Sequence, residues 1–530
     1  MHIPFSQTHY FSKLMLDYIE QKKSLRQFYQ YNRTIETIPQ IVADKKNENI
    51  DRKKLADTIR KQYQNNAIQN ENIQAQIQAL ENENTFCVVT AHQLNIFGGP
   101  LYFIYKIAQT ISTCKQLNDK NPNFHFVPIY WLGSEDHDFE EINHIYLYNK
   151  KIEWNDKQHG ATGEYQPQSI LPLIEEIKTI VGKQPFADEL ISIFVKAYQQ
   201  NTLTHATRFL VNALFGKYGL LVVDGNDADF KQALIPIFKD ELVNQQTHQL
   251  VTKQSEALEA QGYIQQAFPR AINLFYLTKN KRERIELDKK SKQYKILNSG
   301  ISFSKDEIIN ELHQHPERFS PNVILRPLFQ QKILPAVAYI GGGGELAYWL
   351  QLKTTFEYYK VNFPQLILRN SALLVDDSTK NKIEKLDFSV EDFFKDIEQL
   401  KKDFVTQHND EDIDVSTIKN EIQLQYNSLQ KIAEQIDASL INSVGAELQK
   451  TLNNIDNLQK RFMRALKQKN EVELNRIEKI KSQLFPNLSL QERVENFSAY
   501  YAVFGQQFID DLIEKFDVYN KQFLLIQLNK

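Results

Sequence analysis

The chain has 530 residues, of which 42% are hydrophobic and 24% charged, and a formal net charge of -3 at pH 7. These are ordinary proportions for a globular protein of two to four structural units, and the near-neutral balance argues against a nucleic-acid binder that works by bulk electrostatics. No apolar run approaches the roughly 18–20 residues of a membrane span, the start MHIPFSQTHYFSK lacks the basic and apolar regions of a signal peptide, and Cys87 and Cys114 are too few for a disulfide framework or zinc ribbon; a cytoplasmic protein is expected.

Residues 1–84 are polar and helical in pattern. Phe11, Leu14, Met15, Tyr18 and Ile19 share one helix face, and Lys54 to Leu80 carries further helices. This segment is expected to cover a sheet edge or a partner chain. Residues 85–376 read as an α/β core. Phe86 to Val89 is a short buried strand, and Leu101, Phe103, Ile104, Ile107, Ala108 and Ile111 form a helical stripe opened by Pro100. Between them Thr90, His92, Gln93, Gly98 and Gly99 make a polar, glycine-bearing turn. A second strand, Phe124 to Leu132, runs into Gly133-Ser134-Glu135-Asp136-His137-Asp138. Strand, helix and strand in succession imply a parallel sheet. Both polar clusters then lie at carboxyl ends of strands, the edge where open α/β sheets bind ligands.

The pattern weakens over 146–205, an insertion suited to a lid, and returns in a strand at Gly219 to Gly225. A second insertion near 244–320 holds strands at Asn273 to Leu277 and Arg284 to Leu287. The basic run Lys279 to Arg282 between them is either a solvated hairpin turn or a phosphate-binding loop. Asn322 to Leu328 reads as a strand running into a helix. Pro335 to Ile340 is a strand followed by Gly341 to Gly344, Glu345 and a helix, and Leu366 to Arg369 is the last strand. Residues 377–485 carry a narrow apolar seam with polar flanks: Ile418, Ile422, Leu429, Ile432, Ile436 and Leu440, then Val444, Leu448, Leu452, Ile455, Phe462 and Leu466. This predicts a coiled-coil hairpin reversing at Asp437-Ala438-Ser439 and Gly445. Residues 486–530 are expected to be helices packed back on the core.

Three clusters suit chemistry. Thr90, His92 and Gln93 beside a helix N-terminus offer donors and an imidazole to a developing phosphate charge; a capping histidine is the plain alternative. In Glu135-Asp136-His137-Asp138, one carboxylate suits a general base toward an ammonium nucleophile and another suits Mg²⁺ or a sugar hydroxyl, against an acidic N-cap. Gly341 to Gly344 with Glu345 leaves bare backbone for a phosphate or an adenine, or makes a tight turn, and it matches neither GxGxxG nor a Walker sequence. Arg326 suits an anion clamp. His137, Asp138, Glu141 and His144 lie near one helical face, which leaves a metal site as a minor alternative in the absence of a cysteine cluster or an HExxH pattern.

The blocks TAHQLNIFGGPLYFIYKI, PIYWLGSEDHDFEEINH and HPERFSPNVILRPLFQQKILPAVAYIGGGGELAYW resemble the bacillithiol-biosynthesis cysteine ligase family, and the resemblance runs from near residue 1 to the last helices. It implies a Rossmann-like, nucleotidyltransferase-type parallel-sheet core with inserted connecting segments, a long antiparallel α-helical coiled coil, and a homodimer. The implied reaction joins cysteine to the amine of glucosaminyl malate, the last step of bacillithiol synthesis. An amide made from a carboxylate needs an activated acyl group, so ATP is the expected driver, with Mg²⁺ as an optional companion. Glu135 to Asp138, Gln93, Gly99-Pro100, Arg326-Pro327 and Gly344-Glu345 match the family pattern; Ala91-His92 stands where the family reads Gly-Gln. The expected catalytic set is therefore His92, Gln93, Glu135, Asp136, His137 and Asp138. The expected nucleotide-binding set is Thr90, Gly98, Gly99, Arg326, Gly341, Gly342, Gly343, Gly344 and Glu345. Two other readings stay open: a coiled-coil scaffold with a degenerate nucleotide-binding core, and a nucleotidyltransferase with another acceptor.

Overall fold

The computed structural model describes residues 2–409 and 414–528. The chain divides into two compact units, one holding the residues up to Leu373 together with Ser489–Ile526, the other Leu374–Leu488.

The first unit is built on a five-stranded parallel sheet of β1 (Thr85–His92), β2 (His125–Leu132), β3 (Leu221–Asp224), β4 (Ala336–Gly341) and β5 (Gln365–Leu368). The spatial order is β5-β4-β1-β2-β3. The strand that enters first thus stands in the middle: the chain builds outward to β2 and β3, then returns to its other side for β4 and β5. The carboxyl ends of β1 and β4 flank the reversal, the topological switch point of the sheet. β1 is buried along nearly its whole length rather than on alternate residues, as a parallel strand covered on both faces must be.

The helix after β1 is α1 (Tyr102–Lys120), where the apolar stripe placed it. Phe86, Val88, Phe126, Ile340 and Ile367 pack with Cys114 and Leu117 of α1 and with Ile38, Ile41 and Val42 of an N-terminal helix, Ile38–Lys46. Both cysteines are free and buried, and burial pushes the Cys87 thiol up to about 12, so they fill the core.

Several boundaries differ from the sequence reading. The first strand runs on through Thr90, Ala91 and His92, so these residues end a strand rather than open a turn. Asn322 to Leu328 is not a strand. The strand there is Phe319–Pro321, and α2 (Arg326–Ile333) begins five residues later because Asn322 Oδ1 accepts from the Ile324 and Leu325 amides and turns the chain. Phe319–Pro321 closes a separate antiparallel sheet with Leu274–Thr278, Lys281–Asp288, Gln293–Ile296 and Ser302–Phe303. The expected basic hairpin is present, but Arg282 lies in its second strand. The segment after β4 forms α3 (Gly343–Trp349), with Gly341 still in the strand. Near the C-terminus, helices Ser498–Phe504 and Gln506–Lys515 are followed by a strand, Gln522–Leu528, that the sequence reading missed. It runs antiparallel to His2–Pro4. Phe516 stacks edge-on against Tyr105 of α1 at 5.4 Å, and its carbonyl accepts from Ser112 Oγ at 2.7 Å.

The second unit holds the antiparallel hairpin of α4 (Ser416–Ile436) and α5 (Leu440–Lys469). Asp437 to Ser439 makes the reversal, as read, whereas Gly445 lies inside α5. Tyr426 meets Thr451 at 3.0 Å and Lys419 pairs with Asp456 at 2.7 Å across the hairpin. Among the described residues, no helix is long and apolar enough to cross a membrane.

Phe86 is wholly enclosed between the sheet and its covering helices. Phe86→Ala is expected to cost about 3–5 kcal/mol, read as a lower urea midpoint; an unchanged midpoint would place the ring outside the core.

Candidate functional site

A cavity of about 1140 Å³ opens at the switch point. Its floor carries Ala91, His92 and Gln93 from the end of β1 and Gly342, Gly343, Gly344 and Glu345 from the start of α3; one side carries Glu135 and Asp136 after β2. Three stretches far apart in sequence therefore meet in one pocket, as expected from parallel strands ending on one edge.

Local bonds tie the strand ends together. Thr90 is buried and donates its hydroxyl to the Ile340 carbonyl at 2.8 Å, joining β1 to β4. On the other side the Gly133 amide donates to the His92 carbonyl at 2.8 Å. A Cβ at Gly133 would stand 3.0 Å from that carbonyl oxygen, which is why the close approach takes glycine. Gln93 Nε2 donates to Asp136 Oδ2 at 2.6 Å, while Asp136 Oδ1 accepts from the His137 and Asp138 amides. The Asp136 carboxylate is thereby oriented on the cavity wall.

Glu345 is a fully bonded acid. Oε1 receives Lys106 Nζ at 2.6 Å and the Gly342 amide at 3.0 Å, and Oε2 receives the Tyr339 hydroxyl at 2.6 Å. Burial alone would raise its pKa, but Lys106 and these donors hold the carboxyl down to about 2. It is a fixed anion that caps α3, not a proton carrier. His92 is the converse case. Burial, reinforced by nearby Lys106, lowers its pKa to about 3, so the imidazole is neutral at physiological pH. Its Nε2 is sealed from solvent and has no hydrogen-bond partner among the described residues. A neutral ring with its nitrogen sealed from solvent does not suit acid–base work.

Arginines supply the positive field. Arg326 bonds the Tyr348 hydroxyl at 3.1 Å and Gln330 at 3.0 Å. Arg369 is buried, pairs with buried Glu492 at 2.6 Å and lies over the Tyr102 ring at 5.2 Å. Arg282 lies 3.9 Å over the Phe275 ring, bonds Ser320 and the Pro321 carbonyl, and meets His137 Nδ1 at 3.1 Å. Arg270, Arg284 and Arg493 are exposed, line the same cavity and form no salt bridge among the described residues.

Some expected residues stand elsewhere. Gly98 and Gly99 do not line the cavity. Gly99 has φ +60, a Cβ there would lie 2.7 Å from Asn95 Cβ, and Asn496 Nδ2 grips the Phe97 and Gly99 carbonyls at 3.0 and 2.5 Å. The pair serves a tight turn held by the segment around Asn496. Gly341 is buried within β4, and the Thr90 hydroxyl is spent on Ile340. His137 turns instead into a neighbouring cavity of about 220 Å³ with Phe275 and Arg282; burial and then the guanidinium lower its pKa, and Nδ1 accepts from Arg282. Asp138 lines neither cavity. Glu135 does reach the larger one, but it pairs with fully buried Lys231 at 2.7 Å. The sequence reading singled out Arg326, and Arg282 within a basic run read as a turn or a phosphate-binding loop, but it missed Lys106, Arg270, Arg284, Arg369 and Arg493, although a lone lysine within the apolar stripe of α1 was a visible signal. Among the described residues, no group of three or more His, Cys, Asp or Glu side chains is arranged to hold a metal ion.

Comparison with known proteins gives a consistent picture. Residues 1–370 match the family model described as the bacillithiol biosynthesis BshC N-terminal Rossmann-like domain, and residues 372–528 match the BshC C-terminal coiled-coil domain. The chain is 42% identical to a protein of Christiangramia forsetii over 535 residues, covering 100% of this chain and 99% of the relative. It is 40% identical to one of Flavobacterium johnsoniae over 529 residues, 99% of each, and 29% identical to one of Bacillus cereus over 531 residues, 97% and 98%. All three relatives carry the name "Putative cysteine ligase BshC".

Because the folded-state pKa of Glu345 lies below the ordinary glutamate value, its ionised form stabilises the fold above the unfolded pKa. That contribution is lost as pH falls from 4.5 toward about 2. Thermal unfolding of wild type should weaken over this window by more than that of Glu345→Gln; equal slopes would show the carboxylate to be unpaired in the fold.

Proposed function

The chain belongs to the bacillithiol biosynthesis BshC family, and from that premise we propose that it is a carbon–nitrogen ligase that joins cysteine to the amine of glucosaminyl malate, driven by ATP. The observation that carries this reading is the single cavity at the switch point, in which free backbone at a helix start, a ring of arginines and one oriented carboxylate share one space. At about 1140 Å³ it exceeds the roughly 300–1,000 Å³ usual for one small-molecule ligand, as a site for two or more substrates requires.

The nucleotide phosphates lie against Gly342 to Gly344, cavity-lining glycines with no side chain to hold a ligand off the backbone. Arg326 faces the same space. Mg²⁺ enters with the phosphates rather than in a cage of side chains. The cysteine carboxylate oxygen attacks a phosphorus of ATP, giving a mixed anhydride and expelling pyrophosphate when the α-phosphorus is attacked or ADP when the γ-phosphorus is. The glucosamine nitrogen then attacks the acyl carbon, its proton passes to Asp136, and the phosphate-bearing group leaves. Asp136 suits this role because Gln93 and two backbone amides fix its orientation at the wall. The malate carboxylates lie toward Arg270, Arg284 and Arg493, cations at the mouth without salt-bridge partners. ATP-dependent chemistry and two free thiols fit the cytoplasm. The second unit supports a homodimer: α4 and α5 leave Ile418, Ile432 at 53% and Ile436 at 72% exposed along the apolar seam, more than a solitary hairpin leaves open.

Purified protein given ATP, cysteine and glucosaminyl malate should yield the thiol conjugate by mass spectrometry, with pyrophosphate or phosphate released in equal amount. Folded protein that makes none would support the scaffold reading, and pyrophosphate exchange independent of cysteine would support another acceptor. Asp136→Asn should lower kcat by about 10²–10⁴, whereas His137→Ala should cost far less because its ring faces the neighbouring cavity. Arg284→Gln should raise the acceptor KM and leave the ATP KM unchanged; equal effects on both would remove the mouth from acceptor binding. Ile432→Asp should shift the light-scattering mass from dimer to monomer, and a monomeric wild type would contradict the dimer.

A further inference from the structure

Lys106 lies on α1, between the apolar positions Phe103 and Ile107, and its side chain is only 3% exposed. A buried ammonium is costly unless it is paired and fully bonded. Here Nζ donates to the Ala91 carbonyl at 2.5 Å and to Glu345 Oε1 at 2.6 Å. One cation therefore holds the end of β1 and the first turn of α3, the two elements that flank the switch point. Lys106 does not itself line the cavity, so it acts through Glu345.

Stability alone does not account for the pair. A buried ion pair replaced by apolar groups of similar size is often neutral or better, whereas deletion of one partner strands the other charge. What apolar groups cannot supply is a fixed anion at Glu345, which in turn accepts the Gly342 amide and the Tyr339 hydroxyl. That anion sets where the following backbone N–H groups point. Resting on the ATP reading of the cavity, we propose that Lys106 is a positioning residue. By pairing with Glu345 and tying it to the β1 terminus, it keeps the Gly342 to Glu345 wall of the cavity in the geometry that receives the nucleotide.

The other groups facing Glu345 do not replace it. Tyr339 on β4 and Tyr348 on α3 are neutral phenols whose pKa values burial raises, and Tyr102 at the start of α1 is raised the same way. His92 is uncharged. Arg369 after β5 is committed to Glu492, and Arg326 on α2 to Tyr348 and Gln330.

The test uses the full chain as wild type, Lys106→Met, Lys106→Arg and the double variant Lys106→Met with Glu345→Gln. ATP affinity is read by calorimetry with a non-hydrolysable analogue, and thermal unfolding is read against pH. In Lys106→Met the stranded carboxyl has a folded-state pKa above its unfolded value. Its unfolding temperature should therefore fall as pH rises between about 5 and 8, and analogue affinity should drop by about 100-fold. The double variant has no stranded charge, so its stability should no longer depend on pH in that window, yet its analogue affinity should stay low. Lys106→Arg keeps the cation and should recover part of the affinity. Wild-type affinity in Lys106→Met, or full recovery of affinity in the double variant, would overturn the positioning role. Should Lys106→Met fail to fold, the double variant decides alone. Wild-type protein that binds no analogue would sink the ATP reading itself, a result obtained before any variant is compared.

Discussion

Everything at the site follows from β1 standing in the middle of its sheet. The chain must leave β1 toward β2 on one side and come back to β4 on the other, so the two carboxyl ends diverge and leave a cleft that no crossover fills. Open sheets of this kind hold their ligands in such a cleft, and here it is lined by the start of α3 and the ends of β1 and β2. Thr90, Lys106 and Gly133 then hold the strand ends close enough for side chains from separate loops to meet.

The charges around the cleft fall into two groups. Deep in the fold each ion has a partner: Lys106 with Glu345, Arg369 with Glu492, Lys231 with Glu135. These pairs fix geometry and leave little capacity for a ligand. Arg270, Arg284 and Arg493, which line the same cavity, are exposed and form no such pair among the described residues. Glu135, in spite of its place in a dense acidic run, is bound to fully buried Lys231, whereas its neighbour Asp136 is held by Gln93 and two backbone amides, with the Arg282 guanidinium farther off at 3.9 Å. Burial and nearby cations likewise oppose a second proton on the His92 and His137 rings.

Much of this was legible in the sequence wherever the signal was local. The apolar run Cys87-Val88-Val89, the helical stripe after Pro100 and the seam of the coiled coil each state their own structure within a few residues. The meeting of His92, Gln93, Asp136 and Glu345 followed from strand–helix alternation alone. The sequence reading failed where the determining contact is remote. Lys106 and Glu345 are 239 residues apart, and nothing near Arg369 announces Glu492. Gly98 and Gly99 misled for a different reason. A glycine pair reports an unusual backbone but not what faces it, and here it faces Asn95, Phe497 and the Asn496 side chain. The Asn322 turn was misread as strand because its apolar residues mimic one, while the deciding bonds run from a side chain to the backbone.

The most direct test of the central claim is hydrogen exchange measured with and without a saturating non-hydrolysable ATP analogue. The account predicts new protection in peptides covering Gly342 to Glu345 and Ala91 to Gln93, with the hairpin of α4 and α5 unchanged. Protection confined to other segments, with these two exchanging as in the free protein, would contradict it.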